Sequence, residues 1–93
     1  MARLDGRVAI LTGGAKGIGR HYAGALAKEG ARLMIADVAD ASEVAEEIAR
    51  DYGANSVASA VTDVSDESAV KALVAKTMER FGRIDILVNN AAL

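Results

Sequence analysis

The sequence lacks cysteine, proline and tryptophan, and its 93 residues include only three aromatic side chains, those of Tyr22, Tyr52 and Phe81. Without cysteine the chain can form no disulfide, no thiolate zinc site and no cysteine nucleophile. Since 52% of the residues are nonetheless hydrophobic, the core must be built from Val, Ile, Leu and Ala. An aliphatic core of this kind is typical of helices packed on a buried parallel sheet.

An excess of charge of one sign is also lacking, because 11 basic and 13 acidic residues give a net charge of −2. No basic run stands out, so we expect neither a nucleic-acid nor a membrane partner. Residues 1–7 have no apolar signal-peptide region, and no apolar run approaches the length that crosses a bilayer. These features favour a cytoplasmic protein.

Short apolar runs alternate with amphipathic segments along the chain. The runs predict strands at 8–11, 32–37, 56–61 and 84–88, and the segments predict helices at about 17–28, 41–52 and 66–81. Strands that alternate with helices are parallel and joined by right-handed crossovers. The sequence therefore predicts an α/β fold with a Rossmann-type sheet, element order β-α-β-α-β-α-β and strand order 3-2-1-4.

Apolar spacing also predicts the buried helix faces. Helix 1 is expected to pack through Ile18, Tyr22, Ala25 and Leu26. Helix 3, capped by Asp66 or Ser65 and ended by Gly82, is expected to pack through Ala69, Val70, Leu73, Val74, Thr77, Met78 and Phe81. It should lie alone on its face of the sheet, with strand 4 as an exposed apolar edge, so we expect residues 1–93 to be an incomplete domain.

Ligands bind such a sheet at the carboxyl ends of its strands. The first loop there, from Thr12 to Gly19, reads Thr-Gly-Gly-Ala-Lys-Gly-Ile-Gly. Gly13 permits a tight turn, while Gly17 and Gly19 lack side chains where a pyrophosphate and the neighbouring strand come close. The N–H groups at the helix start attract phosphate. An ordinary glycine-rich turn is the alternative.

Two rival nucleotide folds have similar loops. A P-loop requires Gly-Lys followed by Ser or Thr, but here Lys16 precedes Gly17, which excludes it. A methyltransferase also has a glycine loop and an acid after strand 2, so these loops alone leave that class open.

The second loop begins at Asp37, 18 residues after Gly19. An acid near this offset accepts hydrogen bonds from the adenosine ribose; the alternative is a helix cap, a role that Asp40 or Ser42 can also fill. A carboxylate repels a 2′-phosphate, and Val38 and the residue after it offer no arginine, so NAD is favoured over NADP. Lys16 is the feature that would instead favour NADP.

The third and fourth loops are each open to two interpretations. Asp63 can accept a hydrogen bond from the adenine amino group, with Val64 against the ring, or it can simply form a turn. Asn89 and Asn90, followed by Ala91, can bridge adjacent loops through their amides, or they can end the strand in a plain turn.

Together these motifs resemble those of the short-chain dehydrogenase/reductase family. Thr12 to Gly19 match its Thr-Gly-x-x-x-Gly-x-Gly, 63–64 match its Asp-Val pair, and 89–91 match the start of its Asn-Asn-Ala-Gly. The resemblance covers essentially the whole chain and displaces the methyltransferase. Ala92 stands where glycine is usual, a departure that resembles polyol dehydrogenases.

The resemblance implies an NAD-dependent oxidoreductase that moves hydride between nicotinamide and an alcohol or ketone. It implies a cofactor site made of Thr12, Gly13, Lys16, Gly17, Ile18, Gly19, Asp37, Val38, Asp63, Val64, Asn90 and Ala91. Within this set the glycine loop lines the pyrophosphate and 90–91 approach the nicotinamide-side ribose, while Asn89 and Thr12 tie strands together. It also implies a dimeric or tetrameric parent of about 250 residues.

Family catalysis uses a Ser and a Tyr-x-x-x-Lys pair, which neither tyrosine matches, because Tyr22 is followed four residues later by Leu26 and Tyr52 by Ser56. We therefore assign no catalytic residue and no metal ligand, and expect the catalytic groups beyond Leu93. Two alternatives stay open, an NADP-dependent reductase of the same family and a non-enzymatic nucleotide-binding or partner-binding module.

Overall fold

The computed structural model describes residues 3–90, which form a four-stranded parallel sheet in the order β3-β2-β1-β4 with helices on both faces. The strands are β1 (Val8–Thr12), β2 (Arg32–Asp37), β3 (Val57–Val61) and β4 (Ile86–Asn89). The helices are α1 (Gly17–Lys28), α2 (Ser42–Tyr52) and α3 (Glu67–Phe81), and a short 3-10 turn (Ala54–Ser56) precedes β3. The predicted Rossmann-type fold and strand order are confirmed.

The register of the sheet brings the carboxyl ends of all four strands to one edge. Thr12 at the end of β1 pairs with Asn89 at the end of β4, and Asp37 at the end of β2 pairs with Val61 at the end of β3. Every residue of β1 is buried, as expected for a central strand covered on both sides. The loops that follow these strand ends therefore lie side by side.

The two faces of the sheet are covered by different helices. Alternate residues of β1, represented by Ala9 and Leu11, pack with α1 and α2 in one cluster. Ile10 belongs to a second cluster, which contains Leu73 of α3. The predicted crossing of α3 to the opposite face is confirmed.

The predicted buried face of α1 is wrong at Ile18, Tyr22 and Ala25, which are exposed, and right only at Leu26, which packs partly buried against the core. Ile18 is 66% exposed and Tyr22 is 43% exposed, whereas the buried residues are Gly19, Ala23 and Ala27. Gly19 lies against the backbone of the loop before the helix, and Ala23 and Ala27 belong to the core cluster formed with the sheet and α2, so this side of the helix is built from small side chains. Small residues at a spacing of four therefore mark the centre of the contact, and the larger Ile18 and Tyr22 point away from it.

The prediction for α3 is confirmed at its ends and partly wrong along its length. The side chain of Asp66 accepts hydrogen bonds from the N–H groups of Ser68 and Ala69, and Gly82 ends the helix in a left-handed conformation. Leu73 and Thr77 are buried, but the other flank of the predicted stripe is exposed: Val74 is 42% exposed and Met78 45%. Within residues 3–90, the buried side of α3 packs on the sheet and Arg80 donates a hydrogen bond to the carbonyl of Ala54 in the turn before β3, whereas the flank with Val74 and Met78 is left exposed.

Strand β4 is displaced toward its carboxyl end relative to the prediction, because it begins at Ile86 rather than Ile84. The carboxylate of Asp85 accepts a hydrogen bond from the N–H of Val8 over 2.9 Å. At the amino end of β1, opposite the loops, the Asp85 side chain thus provides an acceptor that a neighbouring strand would otherwise provide. Among residues 3–90, no helix has the length and apolar character needed to span a membrane.

Candidate cofactor site

The glycine loop connects β1 to α1 at the carboxyl edge of the sheet. Gly13 and Gly17 have positive φ angles of 72° and 55°, a region that glycine adopts without steric cost. Lys16 precedes the helix in an extended conformation, no side chain caps the helix, and its first turn contains no acidic residue. The N-terminal N–H groups and the positive end of the dipole are therefore available to an anion.

Three glycines of this loop are needed for different reasons. A Cβ on Gly19 would lie 1.8 Å from the carbonyl oxygen of Gly13, and a Cβ on Gly14 would lie 2.5 Å from Cγ2 of Ile35. A Cβ on Gly17 would meet nothing within 4 Å. Gly14 and Gly19 are thus required by contacts inside the protein, whereas Gly17 leaves open space at the helix start for a ligand.

The requirement at Gly14 was not predicted, because the family pattern allows any residue there. Gly19 was expected to lie against a neighbouring strand, but it lies against the loop itself. The carbonyl of Gly13 is the group that it approaches, and the same oxygen accepts a hydrogen bond from Nδ2 of Asn90 over 3.1 Å.

Asp37 lies at the end of β2 and makes two hydrogen bonds. Its Oδ2 accepts from the N–H of Ala15 over 2.9 Å, and its Oδ1 accepts from the N–H of Ala39 over 3.0 Å. The first N–H of α2 is bound instead by Asp40, whose Oδ1 accepts from the N–H of Ser42, while the cap position itself is Ala41, which has no side-chain cap hydrogen bond. Asp37 is therefore directed at the glycine loop and not at the second helix.

The carboxylate of Asp37 retains capacity for a ligand. An ionised carboxylate offers about four lone-pair sites, of which Ala15 and Ala39 use two. Two lone-pair sites remain, which is enough to accept one hydrogen bond from each of two adjacent ribose hydroxyls. Val38, which follows, is an exposed apolar residue.

Asp63 forms a turn at the end of β3, which is one of the two roles foreseen for it. Its Oδ1 accepts from both the N–H and the hydroxyl of Ser65. The hydroxyl of Ser65, and to a lesser degree its N–H, lower the pKa of Asp63. The turn leaves Asp63 exposed and Val64 half-buried at the site edge.

Thr12 joins β1 to the end of β4. Its hydroxyl accepts a hydrogen bond from the N–H of Asn90 over 3.0 Å and lies 3.1 Å from Oδ1 of Asn89, to which it donates. Through Nδ2, Asn90 also reaches the carbonyl of Gly13. The expected role of Thr12 and Asn89 in tying the strands is what the structure shows, while Ala91, the last residue predicted for the site, lies outside the described residues.

A groove of about 670 Å³ runs between α1 and α2 on the outside of the helical layer. Arg20 and Glu47 form an ion pair across it, and His21 and Tyr52 also line it. Only Gly17 belongs to both this groove and the glycine loop. The groove is therefore separate from the cluster of loops at the strand ends, and His21 lies in the groove.

Comparisons with known proteins identify the family to which this chain is similar. Residues 7–93 match the family model described as short chain dehydrogenase. The chain belongs to the short-chain dehydrogenase family. A sorbitol dehydrogenase from Cereibacter sphaeroides is 48% identical over 91 residues, which are 98% of this chain and 34% of that protein.

Two solved structures are similar to the chain over nearly its full length. A short-chain dehydrogenase/reductase from Burkholderia phymatum in complex with NAD is 32% identical, with a TM-score of 0.84 over 94% of this chain and 31% of that one. The C-domain of a bacterial malonyl-CoA reductase with NADP is 32% identical, with a TM-score of 0.90 over 99% of this chain and 16% of that one. The chain thus spans about a third or less of the length of each of these similar proteins.

Proposed function

We propose that this chain forms the nicotinamide-cofactor site of a short-chain dehydrogenase that moves hydride between the cofactor and an alcohol or ketone. The observation that carries the proposal is the hydrogen bond between Asp37 and Ala15. It brings an acid at the end of β2 directly against a glycine loop at a helix N-terminus, which is the arrangement that a dinucleotide requires. The similarity to a sorbitol dehydrogenase supports a polyol or sugar alcohol as substrate.

Besides Asp37 at the adenosine ribose, the chain's own residues would hold the cofactor in three further places. The first-turn N–H groups of α1, from Gly17 to Gly19, would bind the pyrophosphate, with Ile18 beside it. Asp63 and Val64 would contact adenine, and Asn90, with Ala91, would approach the second ribose. When bound, the cofactor supplies the hydride acceptor or donor.

NAD is the preferred cofactor in this proposal because of the charge on Asp37. Its two remaining lone-pair sites suit a free ribose diol, and its charge opposes a 2′-phosphate. A charge-assisted hydrogen bond contributes about 1.5–3 kcal/mol, which corresponds to roughly ten- to a hundredfold in affinity. Lys16 is exposed at the helix start and supports the NADP alternative, but Asp37 acts at the hydroxyls themselves.

Calorimetric titration of the purified chain with NAD and NADP tests the proposal, with the solution state measured alongside. We expect NAD to bind more tightly than NADP, Asp37→Ala to weaken NAD roughly tenfold or more and to shift the preference toward NADP, and the matched Asp40→Ala to change neither. A folded chain that binds neither dinucleotide would contradict the cofactor site. A preference for NADP that Asp37→Ala leaves unchanged would establish the NADP alternative.

A further inference from the structure

Asp37 connects two segments that are distant in sequence. Ala39, the donor to Oδ1, is only two residues away, so that bond is part of a local turn. Ala15, the donor to Oδ2, is 22 residues away and lies in the middle of the glycine loop. The second bond is therefore a tertiary contact between the end of β2 and the loop that precedes α1.

The glycine loop is anchored at both ends but has little to hold its middle. At its start, the N–H of Gly13 donates to the carbonyl of Ala36 over 2.7 Å, and at its end the N–H of Arg20 donates to the carbonyl of Lys16. Among the N–H groups of residues 14–16, that of Ala15 is the one with an acceptor within the described part of the chain. Glycine-rich backbone has many conformations to lose, so this single bond has a large share in holding the loop.

We propose that Asp37 is a positioning residue for the phosphate-binding loop, in addition to its place at the ribose. The carboxylate holds Ala15 N–H and so sets where the first-turn N–H groups of α1 point. One side chain then couples the ribose end of the site to the phosphate end. The inference rests on the proposed function for its purpose, although the contact itself does not depend on a ligand.

Amide hydrogen exchange without cofactor tests the positioning role separately from cofactor binding. We expect Asp37→Ala to speed exchange at Ala15 about tenfold or more, Asp37→Asn to have a smaller effect because one acceptor oxygen remains, and Asp40→Ala to have none. Protection of the Leu11 and Ile35 amides in the central strands reports whether each variant is folded. Equal exchange at Ala15 in Asp37→Ala, Asp40→Ala and the unaltered chain would overturn the proposal.

A backbone variant removes the same hydrogen bond while leaving Asp37 intact. Replacing Ala15 by its α-hydroxy analogue turns the amide into an ester, which deletes the N–H donor but keeps the carboxylate, its charge and its capacity for ribose. If Asp37 positions the loop, the ester should weaken NAD binding several-fold. Undiminished NAD binding by the ester would show that Asp37 acts on the ribose alone, whereas failure of the unaltered chain to bind NAD would instead contradict the proposed function.

Discussion

The backbone N–H of Asn90 donates to the hydroxyl of Thr12 over 3.0 Å, which joins the residue after β4 to the last residue of β1. The same hydroxyl donates to Oδ1 of Asn89, so this part-buried group is both an acceptor and a donor of hydrogen bonds. Valine has nearly the shape of threonine but can neither donate nor accept these hydrogen bonds. Thr12→Val should therefore lower the free energy of unfolding by about 1–3 kcal/mol, as measured by urea denaturation.

The matched control is Thr77→Val in α3. Thr77 is fully buried, but its hydroxyl donates only to the carbonyl of Leu73 in the same helix, over 2.7 Å. That carbonyl keeps its ordinary helical acceptor role without the hydroxyl. We expect the control to change stability by less than about 1 kcal/mol, and equal losses in both variants would contradict a bridging role for Thr12.

Two glycines within α1 should respond in opposite directions to substitution by alanine. A Cβ on Gly24 meets nothing within 4 Å, so Gly24→Ala should stabilise the chain by up to about 1 kcal/mol through helix propensity. Gly19→Ala places a methyl group against the backbone carbonyl of Gly13 and should cost about 3 kcal/mol. Thermal unfolding of the pair checks the prediction, and a tolerated Gly19→Ala would show that the loop can move away.

The pH dependence of stability should include a contribution from Asp85. The pKa of this carboxyl group is lowered mainly by the hydrogen bond from Arg83 and, to a smaller extent, by the hydrogen bond from the N–H of Val8. A pKa lower in the folded state stabilises the fold above about pH 4, the ordinary value, and this contribution disappears as the pH falls through the folded-state pKa. Asp85→Asn should therefore lower the urea midpoint at pH 7 and much less at pH 2.5. An equal loss at both pH values would mean that the ionised form has no special role.

Lys76 should protect the free edge of β3 from pairing with other molecules. Nζ of Lys76 on α3 donates to the carbonyl of Ser59 over 3.0 Å. Exposed strand edges invite pairing between molecules, and lysine is a common means of preventing it. Lys76→Ala should increase self-association in light scattering, whereas Lys71→Ala, which removes only an exposed pair with Glu67, should not. The same aggregation in both variants would point to net charge instead.

The features that sequence could predict are those set by local rules. Strand and helix alternation determined the topology, and the cap at Asp66 and the stop at Gly82 follow from short-range hydrogen bonding and backbone freedom. The positions of Asp37 and Asn90 at the carboxyl edge follow from the parallel sheet. These parts agree with the structure because each depends on neighbours along the chain or on the strand order alone.

The features that sequence missed depend on how closely separate elements approach. Hydrophobic spacing placed Ile18 and Tyr22 in the core, since it detects large side chains and not small ones. The need for glycine at position 14 arises from Ile35 on the next strand, and the role of Asp85 arises from a backbone N–H of β1. A local sequence pattern cannot predict these distances, because they join residues that are far apart in the chain.

The close approach of α1 to the glycine loop has a consequence for how the chain tolerates change. Gly19, Ala23 and Ala27 form the side of the helix that faces inward. A rotamer change cannot relieve crowding at Gly19, because the two nearest opposing atoms, O and C of Gly13, belong to the backbone. On this inward side of α1, mutational tolerance should therefore run opposite to residue size: Gly19, Ala23 and Ala27 should be the least replaceable, whereas the bulky but exposed Ile18 and Tyr22 should accept substitution with little loss of folding.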